Sequence, residues 1–170
     1  MPNAVKAYVR YVERVNLVVG RMTMYLVFAM MGILLFAAIS RYFFNIPFLW
    51  AVEMAQFTMA AYYLLGGAYS MQMEGHVRMD VLYDRWPRKK QAFADSITAF
   101  FLIFYLVILL YGGLSSTEYA LKYGQKNYSA WAPYMAPIKI IMTFGIFLML
   151  LQAIAIFFRD LAKVRGETIE

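Results

Sequence analysis

Two side chains could do chemistry in a chain that is otherwise strongly apolar, Glu53 and His76. A lone carboxylate such as Glu53 inside a membrane span would suit proton or cation coupling. The other reading is an ion pair with Arg41. Arg41 stands where one apolar stretch ends and Glu53 where the next begins, so both belong to the same depth. Each then complements its own helix terminus, and pairing offsets the desolvation of both. This structural reading is preferred, and it predicts that Glu53→Gln impairs assembly more than proton coupling. His76, beside Arg78 and Asp80, reads as a loop hydrogen-bonding residue rather than a catalyst. As the only histidine it cannot supply both axial imidazoles of a membrane cytochrome b. With no cysteine, disulfide chemistry, thiolate metal sites and covalently attached haem are excluded. The sequence has no nucleophile–His–acid grouping and no cluster of metal ligands, so no cofactor is expected.

The elements that carry these residues follow from charge segregation. Four stretches, Met22–Ser40, Ala51–Gln72, Ser96–Ser116 and Ile138–Phe158, hold 83 of the 170 residues but only two charges, Glu53 and Lys139. Each matches the ~20 apolar residues that cross ~30 Å of hydrocarbon as a helix. A soluble helix of that length would keep one polar face for water, and none of these does. The expected fold class is therefore an all-α membrane protein, one integral domain over residues 1–170 with four transmembrane helices. A soluble enzyme is excluded.

The net charge of +6 does not point to nucleic acid, because the cations are dispersed among loops as topology signals. Twelve Lys and Arg fall on one side, in the N-terminal arm, the middle loop and the tail, against Arg41, Lys122, Lys126 and Lys139 on the other. This bias places both termini and the middle loop of a multi-pass membrane protein in the cytoplasm. Trp50, Trp86 and Trp131 all fall at the expected interfaces, where an amphipathic ring prefers to sit. Ala38-Ile39-Ser40 has the small residues of a signal-peptide site. The apolar run before it is nevertheless span-length and follows a long basic arm, so it reads as a retained span.

Residues 4–20 read as an amphipathic helix, with Val5, Tyr8, Val12, Val15 and Val19 on one side and Lys6, Arg10, Glu13 and Arg14 on the other. It is expected to lie in the cytoplasmic interface, cations towards lipid headgroups, or equally to dock another subunit. Pro87 suits the first turn of the third helix. No proline interrupts any of the four stretches and no charge lies near the middle of one. A secondary transporter builds its midplane site from such features. Gly66-Gly67 and Gly112-Gly113 read as close-packing points.

Arg41-Tyr42-Phe43-Phe44-Asn45-x-Pro47-x-x-Trp50-x-x-Glu53, then Gly67-Ala68-Tyr69, then His76-Val77-Arg78-x-Asp80 form an ordered set. It continues with Trp131-x-Pro133-x-x-x-Pro137-x-Lys139, Gly145 and Leu150-Leu151-Gln152. Together they resemble the small membrane subunit of tripartite ATP-independent periplasmic (TRAP) transporters, the DctQ-like proteins, from Arg14 to Asp160. The resemblance implies a supporting subunit rather than an enzyme. Its partners would be a large DctM-like transport subunit, which holds the substrate and sodium sites, and a periplasmic DctP-like binding protein that delivers an organic acid. Carried over by position, Arg41 and Glu53 would fix the first two helices and Trp50 would anchor the outer interface. His76, Arg78 and Asp80 would order the cytoplasmic turn. Trp131, Pro133 and Lys139 would shape the outer loop. The rival expectation is an autonomous four-helix proton-coupled transporter using Glu53. A general membrane assembly factor is a third.

Overall fold

The computed structural model describes residues 3–73 and 88–164. Four helices make up nearly all of them: α1 Asn3–Phe44, α2 Leu49–Gln72, α3 Arg88–Tyr123 and α4 Ala136–Val164. Among the described residues there is no strand, only an isolated bridge between Lys126 and Tyr134.

The expected arm and first span are one helix. α1 is 42 residues long, about 63 Å at ~1.5 Å per residue, roughly twice the thickness of the hydrocarbon. The charge of Arg21 ends the apolar stretch but breaks no backbone hydrogen bond. The neighbouring Gly20 serves packing instead, because a Cβ there would overlap the Tyr69 ring of α2. The arm's apolar face is not turned to acyl chains either. Val9 and Val12 are buried against Ala155 of α4, with Tyr8 and Leu151 at the edge. The arm is therefore a packed extension of the span rather than a separate interfacial helix. Its cations Arg10, Arg14 and Arg21 are exposed, as the amphipathic pattern requires.

α1 stops where Asn45 takes a positive φ of 54°. Asparagine tolerates this left-handed conformation better than most residues. Pro47 then cannot continue a helix, and α2 starts after the extended Phe48. The Phe36 and Phe48 rings stack across the corner at 5.4 Å.

α1, α2 and α4 pack on one another, since α1 meets α4 directly as well as through α2, and α3 lies along α4. Met71, Leu106, Ile146 and Ala153 join α2, α3 and α4 in one buried cluster. Gly145 brings α4 so close that an added Cβ would stand 2.8 Å from the Leu64 carbonyl oxygen.

α1, α3 and α4 each contain a window long and apolar enough to cross a membrane. α2 is long enough, 24 residues, but is not among them. Glu53, Gln56, Gln72 and three tyrosines dilute its apolarity. Two of its sides are covered by α1 and α4.

Candidate functional site

The sequence-selected residues gather at the end that carries the two connections, residues 45–48 and 124–135. Glu53 is buried at 8% exposure, one turn into α2 between the buried Ala51 and Ala55. Its Oε2 has no hydrogen-bond partner. Arg41, in the last turn of α1, is exposed. The expected Arg41–Glu53 pair is therefore not made within the chain. Equal depth does not ensure that two helices aim their side chains at each other. Arg41 still lies where a cation complements the partial negative charge of a helix C-terminus. Trp50 is half-buried, its ring 6.0 Å from that of Phe48.

The longer connection has its own internal order. Gly124, at φ 57°, ends α3 in the left-handed region. The chain then folds back: Asn127 N–H donates to the Pro133 carbonyl, and Met135 N–H to the Gln125 carbonyl, both at 2.9 Å. The Lys126 ammonium sits 4.9 Å from the centre of the Tyr134 ring. Ala132, also at positive φ, donates its N–H to Ser129 Oγ at 3.1 Å. Trp131 and Pro133 form the lip of an apolar groove of about 670 Å³, floored by Met54 and Phe57 of α2 and walled by Leu26 and Ile141. No charged side chain lines it.

Lys139 ties this connection to the helices. Its Nζ donates to Gln125 Oε1 at 2.6 Å and reaches the Ser116 carbonyl at 3.4 Å. Below it, Thr117 and Thr143 share a 2.9 Å hydroxyl contact between α3 and α4. Removing the ammonium in Lys139→Met should loosen the connection by about 1 kcal/mol, the loss of one partly exposed charge-assisted hydrogen bond. Faster limited proteolysis within residues 124–135, with helix content unchanged, is the expected readout.

Over residues 9–163 the sequence matches the tripartite ATP-independent periplasmic transporters, DctQ component. The chain belongs to the DctQ family. No curated protein matches it. As a DctQ component it is a small permease subunit of a TRAP transporter, a membrane-spanning protein and not a member of a known enzyme family. Proteins of this family work with a large membrane subunit and a binding protein.

Three of the selected residues, His76, Arg78 and Asp80, lie outside the described residues, as do Trp86 and Pro87. Sequence reading missed a polar contact at the other end of this DctQ chain. Asn16 Nδ2 donates to Gln152 Oε1 at 2.7 Å, with both side chains buried. One turn away Arg159 approaches Glu13 at 3.6 Å, and the Tyr8 hydroxyl donates to the Leu151 carbonyl at 3.2 Å. The available signal was Asn16 itself, a lone amide in the stripe Val9, Val12, Asn16, Gly20, Thr23 that recurs at helical spacing. Among the described residues no group of acidic or histidine side chains could hold a metal ion.

Proposed function

We propose that this subunit enlarges and steadies the static scaffold of the large transport subunit during sodium-driven, binding-protein-dependent uptake of an organic acid. The uncovered apolar surface carries the reading: large apolar side chains are exposed along every one of the four helices, which suits packing against another membrane protein. The groove at the loop end has no charged group to meet a carboxylate. In this reading α2 also crosses the bilayer, so that four spans leave both termini in the cytoplasm and both connections in the periplasm. The excess of Lys and Arg at the terminal end favours that orientation.

Arg41 and Trp50 then anchor the periplasmic interface, and Glu53 serves the α2 contact. His76, Arg78 and Asp80 order the cytoplasmic turn. Trp131, Pro133 and Lys139 hold the loop that receives the binding protein or the large subunit. Sodium and substrate are bound elsewhere, in the large subunit, and this chain carries no cofactor. The second reading, an autonomous proton-coupled transporter, draws on the unpartnered carboxylate of Glu53.

Reconstitution separates the two. Vesicles holding the large subunit, this chain and the binding protein should take up substrate only with all three present and with a sodium gradient. Vesicles with this chain alone should be silent. Transport by the chain alone, abolished in Glu53→Gln, would establish the rival.

A further inference from the structure

The apolar groove under Trp131 and Pro133 does not end at the connection. A second hollow of about 370 Å³ meets it at Leu26 and Ile141, which line both, and continues past Leu65 and Phe144 to Met22 and Val19. Together they make one furrow, floored by α2 and walled by α1 and α4. It runs from Met54 to Leu65 along α2, about 16 Å at ~1.5 Å per residue. Its far end is closed. Just beyond Val19, Asn16 of α1 bonds Gln152 of α4 at 2.7 Å, and further along Val9 and Val12 pack on Ala155. α1 and α4 therefore touch at the terminal end and splay at the loop end, with the furrow between them.

The walls offer nothing to a polar ligand. Among the described residues no charged side chain lines either hollow. The two threonine hydroxyls on the walls are already used: Thr58 Oγ1 donates to the Met54 carbonyl at 2.7 Å and Thr23 Oγ1 to that of Val19 at 2.8 Å. The lip is different. Trp131 and Tyr134 are amphipathic rings of the kind that settle at headgroup level, and they are 42% and 59% exposed. The Lys126 ammonium, the only charge in residues 124–135, stands 4.9 Å from the centre of the Tyr134 ring. The backbone hydrogen bonds of Asn127 to Pro133 and of Met135 to Gln125 hold this rim in place.

We infer that the furrow holds one acyl chain of a glycerophospholipid whose phosphate meets the Lys126 ammonium. The length argues for it: a leaflet is a hydrocarbon half-thickness of ~15 Å, and the furrow is as deep as one leaflet and stops there. A membrane-crossing helix of a partner, or of a second copy, is ~10 Å wide and needs a path of ~30 Å. The closed end leaves it half of that. A soluble protein reaches the lip but not the depth, and an organic acid finds no cation below the lip. A chain in the furrow touches α1, α2 and α4 on three sides, whereas a lipid on the outer face of α3 touches one. Many more dispersion contacts hold it there. The inference needs only that the helices cross the membrane; neither the scaffold role nor the side on which the connections lie enters it.

The test places the whole transporter in nanodiscs of phosphatidylethanolamine with a small share of phosphatidylglycerol that carries a mid-chain diazirine. After illumination, adducts are mapped by peptide mass spectrometry. They should concentrate at Leu26, Phe57 and Ile141 of the furrow, severalfold above Phe104 and Ile108, which are exposed on α3. Thr58→Phe fills the furrow from α2 and Ile141→Phe fills it from α4. Each should abolish the adducts at Leu26 and Phe57 and leave the α3 background unchanged, and either suffices if the other fails to assemble. Lys126→Gln should lower the furrow adducts about fivefold, as expected for one cation beside an anionic headgroup. Equal labelling of furrow and α3 would overturn the inference, since it means annular lipid only. So would full labelling of the filled variants, or unchanged labelling in Lys126→Gln. A photoreactive phenylalanine analogue at position 57 that captures a helix of the large subunit instead of lipid would overturn it too. Each of these outcomes leaves the proposed function standing.

Discussion

Gly145→Ala should destabilise the chain by about 1–3 kcal/mol, the range for forcing extra volume into a packed contact. The new Cβ would stand 2.8 Å from the Leu64 carbonyl oxygen and 2.9 Å from its carbonyl carbon. Those atoms belong to the backbone of α2, so no side-chain rotation can relieve the contact and the helices must part. Alanine's better helix propensity returns at most ~1 kcal/mol, which does not reverse the sign. Gly67→Ala is the milder case, because its Cβ would meet the Met149 sulfur at 2.8 Å and methionine is flexible. Gly32→Ala and Gly112→Ala meet nothing within 4 Å and should be neutral or slightly stabilising. Thermal unfolding of the purified chain in one detergent ranks the four. If Gly145→Ala melts with Gly112→Ala, the close approach of α2 and α4 is wrong.

These glycines also mark where sequence reading stops. Gly66-Gly67 and Gly112-Gly113 were expected as packing points. Gly67 and Gly113 do face Met149 and Thr143 closely, whereas Gly112 faces open space and Gly66 makes only ordinary contact with Thr23. Which member of a pair faces inward depends on helix rotation, and composition does not record that. Helix positions fared better: α2 and α4 cover the expected stretches within a few residues at their loop ends. About twenty residues with at most one charge are a length signal that needs no knowledge of neighbours. Joining arm to span was harder, since the role of Gly20 is set by Tyr69 on another helix. The same reason hid the partner of Lys139. Gln125 reaches it only because the connection folds back through the Lys126–Tyr134 bridge. Arg41 and Glu53 show the converse error, in which depth was legible but direction was not.

Direction matters most where α1 meets α4, and there Gln152→Leu should carry the second large effect. The substitution removes the acceptor of Asn16 Nδ2 and leaves that amide shut in, at 1% exposure, with nothing to bond. Stranding a buried polar group costs about 1–3 kcal/mol. Interhelical hydrogen bonds measured within membranes average nearer 0.6 kcal/mol, because the separated helices find other partners. The higher range applies here, since burial on both sides keeps alternative partners away from Asn16. The contact is not fully efficient even now, because Asn16 Oδ1 and Gln152 Nε2 are both unpartnered. Replacing both residues, Asn16→Leu with Gln152→Leu, removes every unpaired group at once. The double variant should therefore be more stable than the sum of the singles predicts, by about 1 kcal/mol or more of coupling. Glu13→Gln, which weakens only the 3.6 Å approach to Arg159, should change stability by well under ~1 kcal/mol, as partly exposed ion pairs do. Unfolding midpoints of the two singles, the double and Glu13→Gln decide the matter. Additive singles would mean that Asn16 and Gln152 do not hold α1 to α4 as a pair, and that the arm is kept in place by the Val9–Val12–Ala155 cluster with its Tyr8 and Glu13 contacts.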